Sequence, residues 1–364
     1  MKKMKLAVCG TANPHVRLYY GQFATADFID LKAICDHDEK RLRDAQDFFK
    51  ARNMPVKYYT DSNEMLQKHP EIDAVMVGSD NIHHCEHTLA VAEQGKHVFS
   101  MKVMSMDENE CRTMIKACRQ HKVILQIELE LHFHPQILNL KKLIESGRLG
   151  KVHTMYISNI SQSPICYYPN WGVPLLSYGK IVPIRPGEKV CRGGAITDHP
   201  HPFDLARWLN GAEFAKVYAV SARNMRDYLE VEDHAAINAE MTNGANVFIN
   251  PSYAHLEERA VTRRLYWPKS LECMIKAVGT KGTYITDFWN KPHYMLGSGL
   301  QSPNRLLLGG GGGCPEFGES RLDSFYLAVT GQRKIESSGE DGLAAVRVMN
   351  AAYESIYSNK TVVF

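Results

Sequence analysis

Through residue 125 the chain alternates short apolar runs with amphipathic stretches, and this alternation constrains the fold more than any other feature. Lys5–Cys9, Leu31–Cys35, Val56–Tyr59, Ala74–Val77, His97–Ser100 and Val123–Ile127 read as strands. Helical periods fall between them, ending near Ala24, running from Glu39 to Lys50, ending at Glu93, and running from Asp107 to His121. Short apolar strands separated by helices need crossover connections. These place the strands parallel, with helices over both faces. The pattern predicts an α/β Rossmann dinucleotide-binding domain over residues 1–125.

The pattern then changes. A helix over Pro135–Ser146 stops at Gly147, and strands dominate: Lys151–Ser158, Lys216–Ala222, Ala235–Thr242, Ala245–Pro251, Cys273–Gly279 and Gly282–Asp287. Thr242–Ala245 and Gly279–Gly282 carry hairpin turn signals. Residues 126–364 are therefore expected to form an α+β C-terminal domain on a mostly antiparallel open sheet. Ser161–Arg192 shows no period and reads as a long functional loop. Gly309–Gly313 lacks a following Lys-Ser/Thr and reads as a flexible loop, not a phosphate cradle. Ser338–Asp341 reads as a helix start, and the helix over about 340–357 is expected to pack back on the first domain.

Composition excludes several classes. The net charge is +3 over 364 residues, with no dense basic stripe, so neither nucleic acid nor a membrane surface is expected as a partner. No apolar run approaches the roughly 20 residues of a membrane span. The opening MKKMKLAVCG passes at once into a strand and lacks a signal-peptide core. The nine cysteines are widely spaced, without C-x-x-C. They read as reduced thiols of a cytoplasmic protein.

The first strand runs into Gly10-Thr11-Ala12-Asn13-Pro14-His15. In a dinucleotide fold this turn presents backbone N–H groups and a helix N-terminus to a pyrophosphate, which makes Gly10, Thr11, Ala12 and Asn13 candidate cofactor contacts. Ala12 and His15 stand where the fingerprint has glycines. Asp36 ends the second strand, where an acid bonds the ribose hydroxyls and favours NAD over NADP; its plainer reading is a helix start. Ser79, Asn81 and His84 follow the fourth strand, at the edge where such sheets bind ligands. Lys102 follows the fifth, placed to relay a proton beside a nicotinamide. In the second domain, GGAITDHPHPFDLARWL at 193–209 gathers Asp198, His199, His201 and Asp204 ahead of an amphipathic helix. Histidine titrates near neutrality and aspartate orients it, a combination suited to proton transfer or metal binding. Pro200 and Pro202 argue against regular helix through the polar part.

Together these segments resemble the glucose–fructose oxidoreductase / inositol dehydrogenase / MocA superfamily over nearly the whole chain. The match is carried by the opening strand-turn, AICD at 33–36, SDNIHH at 79–84, GKHVFSMKV at 95–103, LIESGRLGKV at 143–152, the 193–209 segment, VGTKGTYITDF at 278–288 and the closing EDGLAAVRVMNAAYESI. The resemblance implies NAD(P)-dependent oxidation or reduction at a sugar or polyol carbon, and homo-oligomers formed through the open face of the C-terminal sheet. It makes Lys102 the catalytic lysine and His201 the catalytic histidine, with Asp204 after it. Met101 and Val103 replace the family's Glu and Pro around the lysine; loss of the proline weakens the expected cis peptide. The family's catalytic aspartate falls in register at Thr197, one residue before Asp198, the acid expected to serve. His132-Phe133 stands where many members have Arg-Phe.

The resulting expectation is an NAD-dependent oxidoreductase acting on a secondary hydroxyl of a sugar, glycoside or cyclitol, C3 of a glycoside being one target. Lys102, His201 and Asp198 are the expected catalytic groups, and His132, Tyr168, Trp171, His199, Asp198 and His201 are expected to meet substrate. The aromatic Tyr167–Trp171 run suits stacking on a sugar or packing at a subunit contact. A metal held by Asp198, His199 and His201 with His132 or His134 is disfavoured, because adjacent side chains on an extended segment point apart; none is expected. Two rivals stand beside this reading: a redox-assisted lyase or glycosidase that retains NAD, and a sugar- or nucleotide-sensing protein without chemistry.

Overall fold

The computed structural model describes residues 3–161, 176–177, 180–181, 183–225, 229–253, 272–287, 294–297 and 321–364. Contacts divide the chain into two compact units, Met1–Leu129 with Glu319–Val346, and Glu130–Gly318 with Arg347–Phe364. The first unit thus extends past residue 125 and takes in a later segment of the chain.

The first unit is built on β1 (Met4–Cys9), β2 (Ile29–Cys35), β3 (Lys57–Tyr59), β4 (Ala74–Val77), β5 (His97–Ser100) and β6 (Leu125–Ile127). They form one parallel sheet in the order β3-β2-β1-β4-β5-β6. Helices α1 (His15–Thr25), α2 (Glu39–Lys50), α3 (Ser62–Lys68), α4 (His84–Glu93) and α5 (Glu108–Gln120) connect them. The strand order reverses between β1 and β4, and ligands bind at such a switch point, beyond the strands' C-terminal ends. Leu6, Val8, Ile34, Met76 and Phe99 are fully buried in the core, where each contributes about 1.5–3 kcal/mol. Asp38 caps α2 by accepting from the Lys40 and Arg41 amides. Asp36 is therefore not the helix start.

The second unit starts with α6 (Pro135–Glu145) and β7 (Val152–Ser161). A small pair, β8 (Leu176–Ser177) and β9 (Lys180–Ile181), lies within the stretch read as an unstructured loop. Next come α7 (Ala195–Asp198), α8 (His201–Asn210), β10 (Phe214–Val220), β11 (Ala236–Met241), β12 (Asn246–Tyr253), β13 (Glu272–Gly279), β14 (Gly282–Asp287) and β15 (Tyr294–Gly297). Helix α9 (Arg321–Val329) belongs to the first unit; α10 (Gly339–Ser358) begins in the first and ends in the second, followed by β16 (Val362–Val363). The sheet order is β15-β14-β13-β7-β12-β11-β10-β16, and among its described strands only β7 and β12 pair in parallel. Along β10 and β11 inward and outward residues alternate, so Val217, Ala219, Ile237 and Ala239 are buried while Tyr218 and Val220 face out. Ser338 opens α10 as expected, exchanging hydrogen bonds with Asp341 in a capping arrangement. Gly309–Gly313 and the aromatic run with Tyr168 and Trp171 lie outside the described residues.

Candidate active site

In the first unit the turn after β1 forms a cradle. Gly10 has φ +83°, and a Cβ there would fall 2.4 Å from the Ser79 Cα. Only glycine lets the turn lie against the residues after β4. Asn13 accepts from the His15 amide at 3.0 Å and donates to the Lys102 carbonyl at 3.0 Å, joining the turn to the end of β5. A cleft of about 240 Å³ is lined by Gly10, Ala12, Asp36, Arg41, Ser79 and His87, among others. Asp36 is buried. Its carboxylate accepts from the Thr11 amide and hydroxyl at 2.7 Å, from the Asp38 amide at 2.9 Å and from Arg41 Nε at 3.2 Å. Burial pushes the Asp36 carboxyl up, but these bonds outweigh it and hold the group below its ordinary value. A glycine turn in backbone contact with the next strand end, and an ionised acid at the end of β2, fit the diphosphate and ribose of a dinucleotide.

The other cofactor candidates differ in position. Ser79 lines the cleft and its hydroxyl meets His87 Nδ1 at 2.9 Å. Asn81 is half-buried in the turn Asn81–His83. His84 is fully buried, with ring nitrogens 2.9 Å from the Val103 carbonyl and 3.0 Å from the Ser79 carbonyl. Burial pushes its pKa down to about 4, so the neutral ring donates to one carbonyl at a time. His84 holds two strand ends together and does not face the cleft.

Lys102 is 4% exposed, and the Lys102–Val103 peptide is cis although proline is missing there. Met101, which stands in place of an acid, is fully buried. A carboxylate comes instead from the neighbouring strand: Glu128, just past β6, whose amide donates to the Ser100 carbonyl at 2.9 Å. Glu128 accepts from Arg321 at 2.7 Å, from Tyr19 at 3.1 Å and from His15 Nδ1 at 2.9 Å. Burial opposes its charge, but His15, Arg321 and Lys102 together pull its pKa down to about 2. Nothing in the sequence marked this group. Its partners are distant in the chain, and an acid after a strand has no signature of its own.

In the second unit the Asp198–Asp204 segment is more helical than the prolines suggested. Asp198 ends α7, and His201 opens α8 with Pro200 as N-cap and Pro202 in the first turn. The first turn of a helix has no use for those N–H groups, so proline is tolerated there. Asp198, His199 and His201 are all buried. His199 Nδ1 lies 2.6 Å from the Ala195 carbonyl. Asp204 pairs with His132 Nε2 at 2.7 Å, both side chains buried. Trp208 stacks on the His132 ring with centroids 4.2 Å apart. His132 is therefore packed into the interior of its unit against two residues of α8. Thr197, the register alternative to Asp198, has its hydroxyl 2.8 Å from the Tyr353 hydroxyl.

The comparisons with known proteins agree with this architecture. Residues 4–129 match the family described as "Oxidoreductase family, NAD-binding Rossmann fold", and residues 137–285 match the "GFO/IDH/MocA C-terminal domain". The uncharacterized oxidoreductase YrbE of Bacillus subtilis is 24% identical over 359 residues, covering 93% of this chain and 91% of that protein. Myo-inositol 2-dehydrogenase of Thermotoga maritima is 31% identical over 190 residues, covering 52% of this chain and 50% of that protein. The crystal structure of the WlbA dehydrogenase from Bordetella pertussis in complex with NADH and UDP-GlcNAcA superposes with a TM-score of 0.75 at 21% identity, covering 100% of this chain and 99% of that one. With its NAD-binding parallel sheet and the C-terminal domain that follows, this chain belongs to the GFO/IDH/MocA family and is an NAD-dependent oxidoreductase.

Proposed function

We propose that the protein oxidises a secondary hydroxyl of a cyclitol, sugar or glycoside, with Lys102 and His201 handling the hydroxyl proton and Asp198 orienting them. The observation that carries this reading is the placement of Lys102. It is buried, and its carbonyl is bonded to Asn13 of the dinucleotide turn, so the proton carrier and the cofactor cradle are parts of one structure. Bound NAD supplies the acceptor for the carbon-bound hydrogen. Thr197, in the family's register for the acid, has its hydroxyl bonded to Tyr353, and Asp198 is kept as the proposed acid. His199 and His132 are held by internal contacts and serve the shape of the site; Tyr168 and Trp171 are kept as proposed substrate contacts. The name of the inositol-oxidising relative favours a cyclitol, and that of the UDP-GlcNAcA complex favours a sugar.

The outer face of the second unit's sheet supports a homo-oligomer. Tyr156, Tyr218, Val220 and Phe248 are each about two-fifths exposed around an apolar groove of about 370 Å³, and Tyr156 stacks on Phe248 at 4.9 Å. Contiguous exposed apolar surface of this kind marks an interaction site. Among the described residues no helix is long and apolar enough to cross a membrane, and the described cysteines are free thiols, in keeping with a cytoplasmic protein.

The test is NADH formation over a panel of cyclitols, sugars, glycosides and nucleotide sugars, with Lys102→Ala as control. Turnover that Lys102→Ala lowers by about 10²–10⁴-fold supports the reading. Unchanged turnover in that variant sinks the mechanism. Substrate conversion with NAD retained and no net NADH favours the redox-assisted lyase.

A further inference from the structure

We propose that Glu232 is the positioning residue for the Asp198–His201 segment, acting through the Gly194 and Ile196 amides and through Tyr353. The proposal rests on the reading above that this segment carries proton chemistry. Glu232 lies shortly before β11 and is fully buried. One carboxylate oxygen accepts from the Gly194 amide at 3.1 Å. The other accepts from the Ile196 amide at 2.9 Å and from the Tyr353 hydroxyl at 2.7 Å. The Glu232 backbone carbonyl takes the amide between them, Ala195, at 2.9 Å. Three successive amides at the start of α7 thus end on one residue. These are the donors that a helix start leaves without partners, and no cap from the Gly194 side supplies them.

The fit is close enough to dictate sequence. A Cβ on Gly194 would fall 1.8 Å from the Glu232 carbonyl oxygen. Tyr353 closes the arrangement from α10: its oxygen receives the Gly193 amide at 3.2 Å and lies 2.8 Å from the Thr197 hydroxyl. Thr197 directly precedes Asp198, so every residue from Gly193 to Thr197 except Ala195, which the carbonyl holds, is fastened through these two side chains.

Charged and titratable neighbours lie close by among the described residues. Arg192 lies over the Tyr353 ring at 5.4 Å, while Cys191, Glu230, Asp233 and His234 flank the segment. No cation is bonded to the Glu232 carboxylate among the described residues, and burial pushes its pKa up to about 7. When ionised, Glu232 accepts from Tyr353, which accepts from Thr197. When protonated, Glu232 donates to Tyr353, which donates to Thr197. The chain reverses its hydrogen-bond direction with the heavy atoms in place, because a phenol oxygen both donates and accepts.

The experiment compares wild type, Glu232→Gln and Tyr353→Phe by amide hydrogen exchange over 193–204, with strand β4 as internal reference, and by kcat, KM for NAD and the pH dependence of kcat. The expected result is exchange over 193–204 faster by about ten-fold in both variants, roughly the loss of one hydrogen bond, with β4 unchanged. For turnover the expectation is a lower kcat, an unchanged KM for NAD, and loss in Glu232→Gln of a kcat ionisation near neutrality. Unchanged exchange and an unchanged pH profile overturn the proposal. If Glu232→Gln does not fold, Tyr353→Phe, which removes a single oxygen, decides in the same way. If wild type turns over none of the panel, the functional reading fails and the exchange data alone decide this one: faster exchange supports it and unchanged exchange overturns it.

Discussion

The two units bury their carboxylates in opposite ways. In the first, Asp36 is paired with Arg41, and Glu128 with Arg321, His15 and Lys102. Arginine keeps its charge at every working pH, so these acids stay ionised. In the second unit histidines, a tyrosine and backbone amides lie against three of the buried carboxylates. Asp204 faces His132, Asp233 faces His234, and Glu232 faces Tyr353 and backbone amides. The contrast is sharpest between the two fully buried glutamates, one pulled down to about 2 and the other pushed up to about 7. Equal burial gives opposite results because a fixed cation repays the desolvation of a carboxylate and a neutral donor does so only in part. A unit that holds a charged cofactor gains from charges that do not change. The second unit holds, in Glu232, a buried carboxyl raised close to neutrality.

The largest expected effect comes from breaking the first arrangement. Glu128→Ala leaves the half-buried Arg321 and His15, and the buried Lys102, without their acid, and should cost about 3–5 kcal/mol in urea unfolding at neutral pH. A loss below about 1 kcal/mol, the range of exposed pairs, would show that these charges are not coupled in the interior. Next is the acid limb of stability. Glu128 is lowered from 4.5 to about 2 in the folded state, so its contribution is present above 4.5 and lost as pH falls through about 2. That loss amounts to about 3 kcal/mol, and Glu128→Gln should flatten the limb.

Glu232 has the reverse sign. Its folded pKa is raised from 4.5 to about 7, so its contribution is present below 4.5 and lost as pH rises through about 7. The stability of Glu232→Gln relative to wild type should therefore improve by up to about 3 kcal/mol over that window, whatever its offset. A difference that does not vary with pH would remove the contrast between the glutamates. The smallest effect is expected at the outer sheet face. Phe248→Glu should change monomer stability by no more than about 0.5 kcal/mol while shifting sedimentation towards monomer. A wild type that already sediments as a monomer would end the oligomer proposal.

The sheet-forming segments were legible because their signal is local. Ala74–Val77 and His97–Ser100 are strands to the residue, and Glu39–Lys50 is a helix to the residue. What escaped was short or remote. α3 has too few turns to show a period, and β16 is two residues that gain meaning only by pairing with β10. Within the 193–209 segment the residue types were plain, but their division was not. His201 and Asp198 sit where two helices meet, while Asp204, singled out by the same pattern, is bonded to His132 in the interior. Glu128 and Glu232 stand 193 and 121 residues from Arg321 and Tyr353, and no spacing rule reaches so far.

The sequence by itself determined the strand–helix alternation of the first unit apart from α3, the glycine turn after β1, the acid at the end of β2, and the family. Each depends on neighbours a few residues apart, where periodicity and turn chemistry act. Only the tertiary structure decided which buried acids meet a permanent cation and which meet a neutral donor. A carboxylate's charge in the interior is set by the few groups within hydrogen-bond reach, and folding brings those from distant parts of the chain.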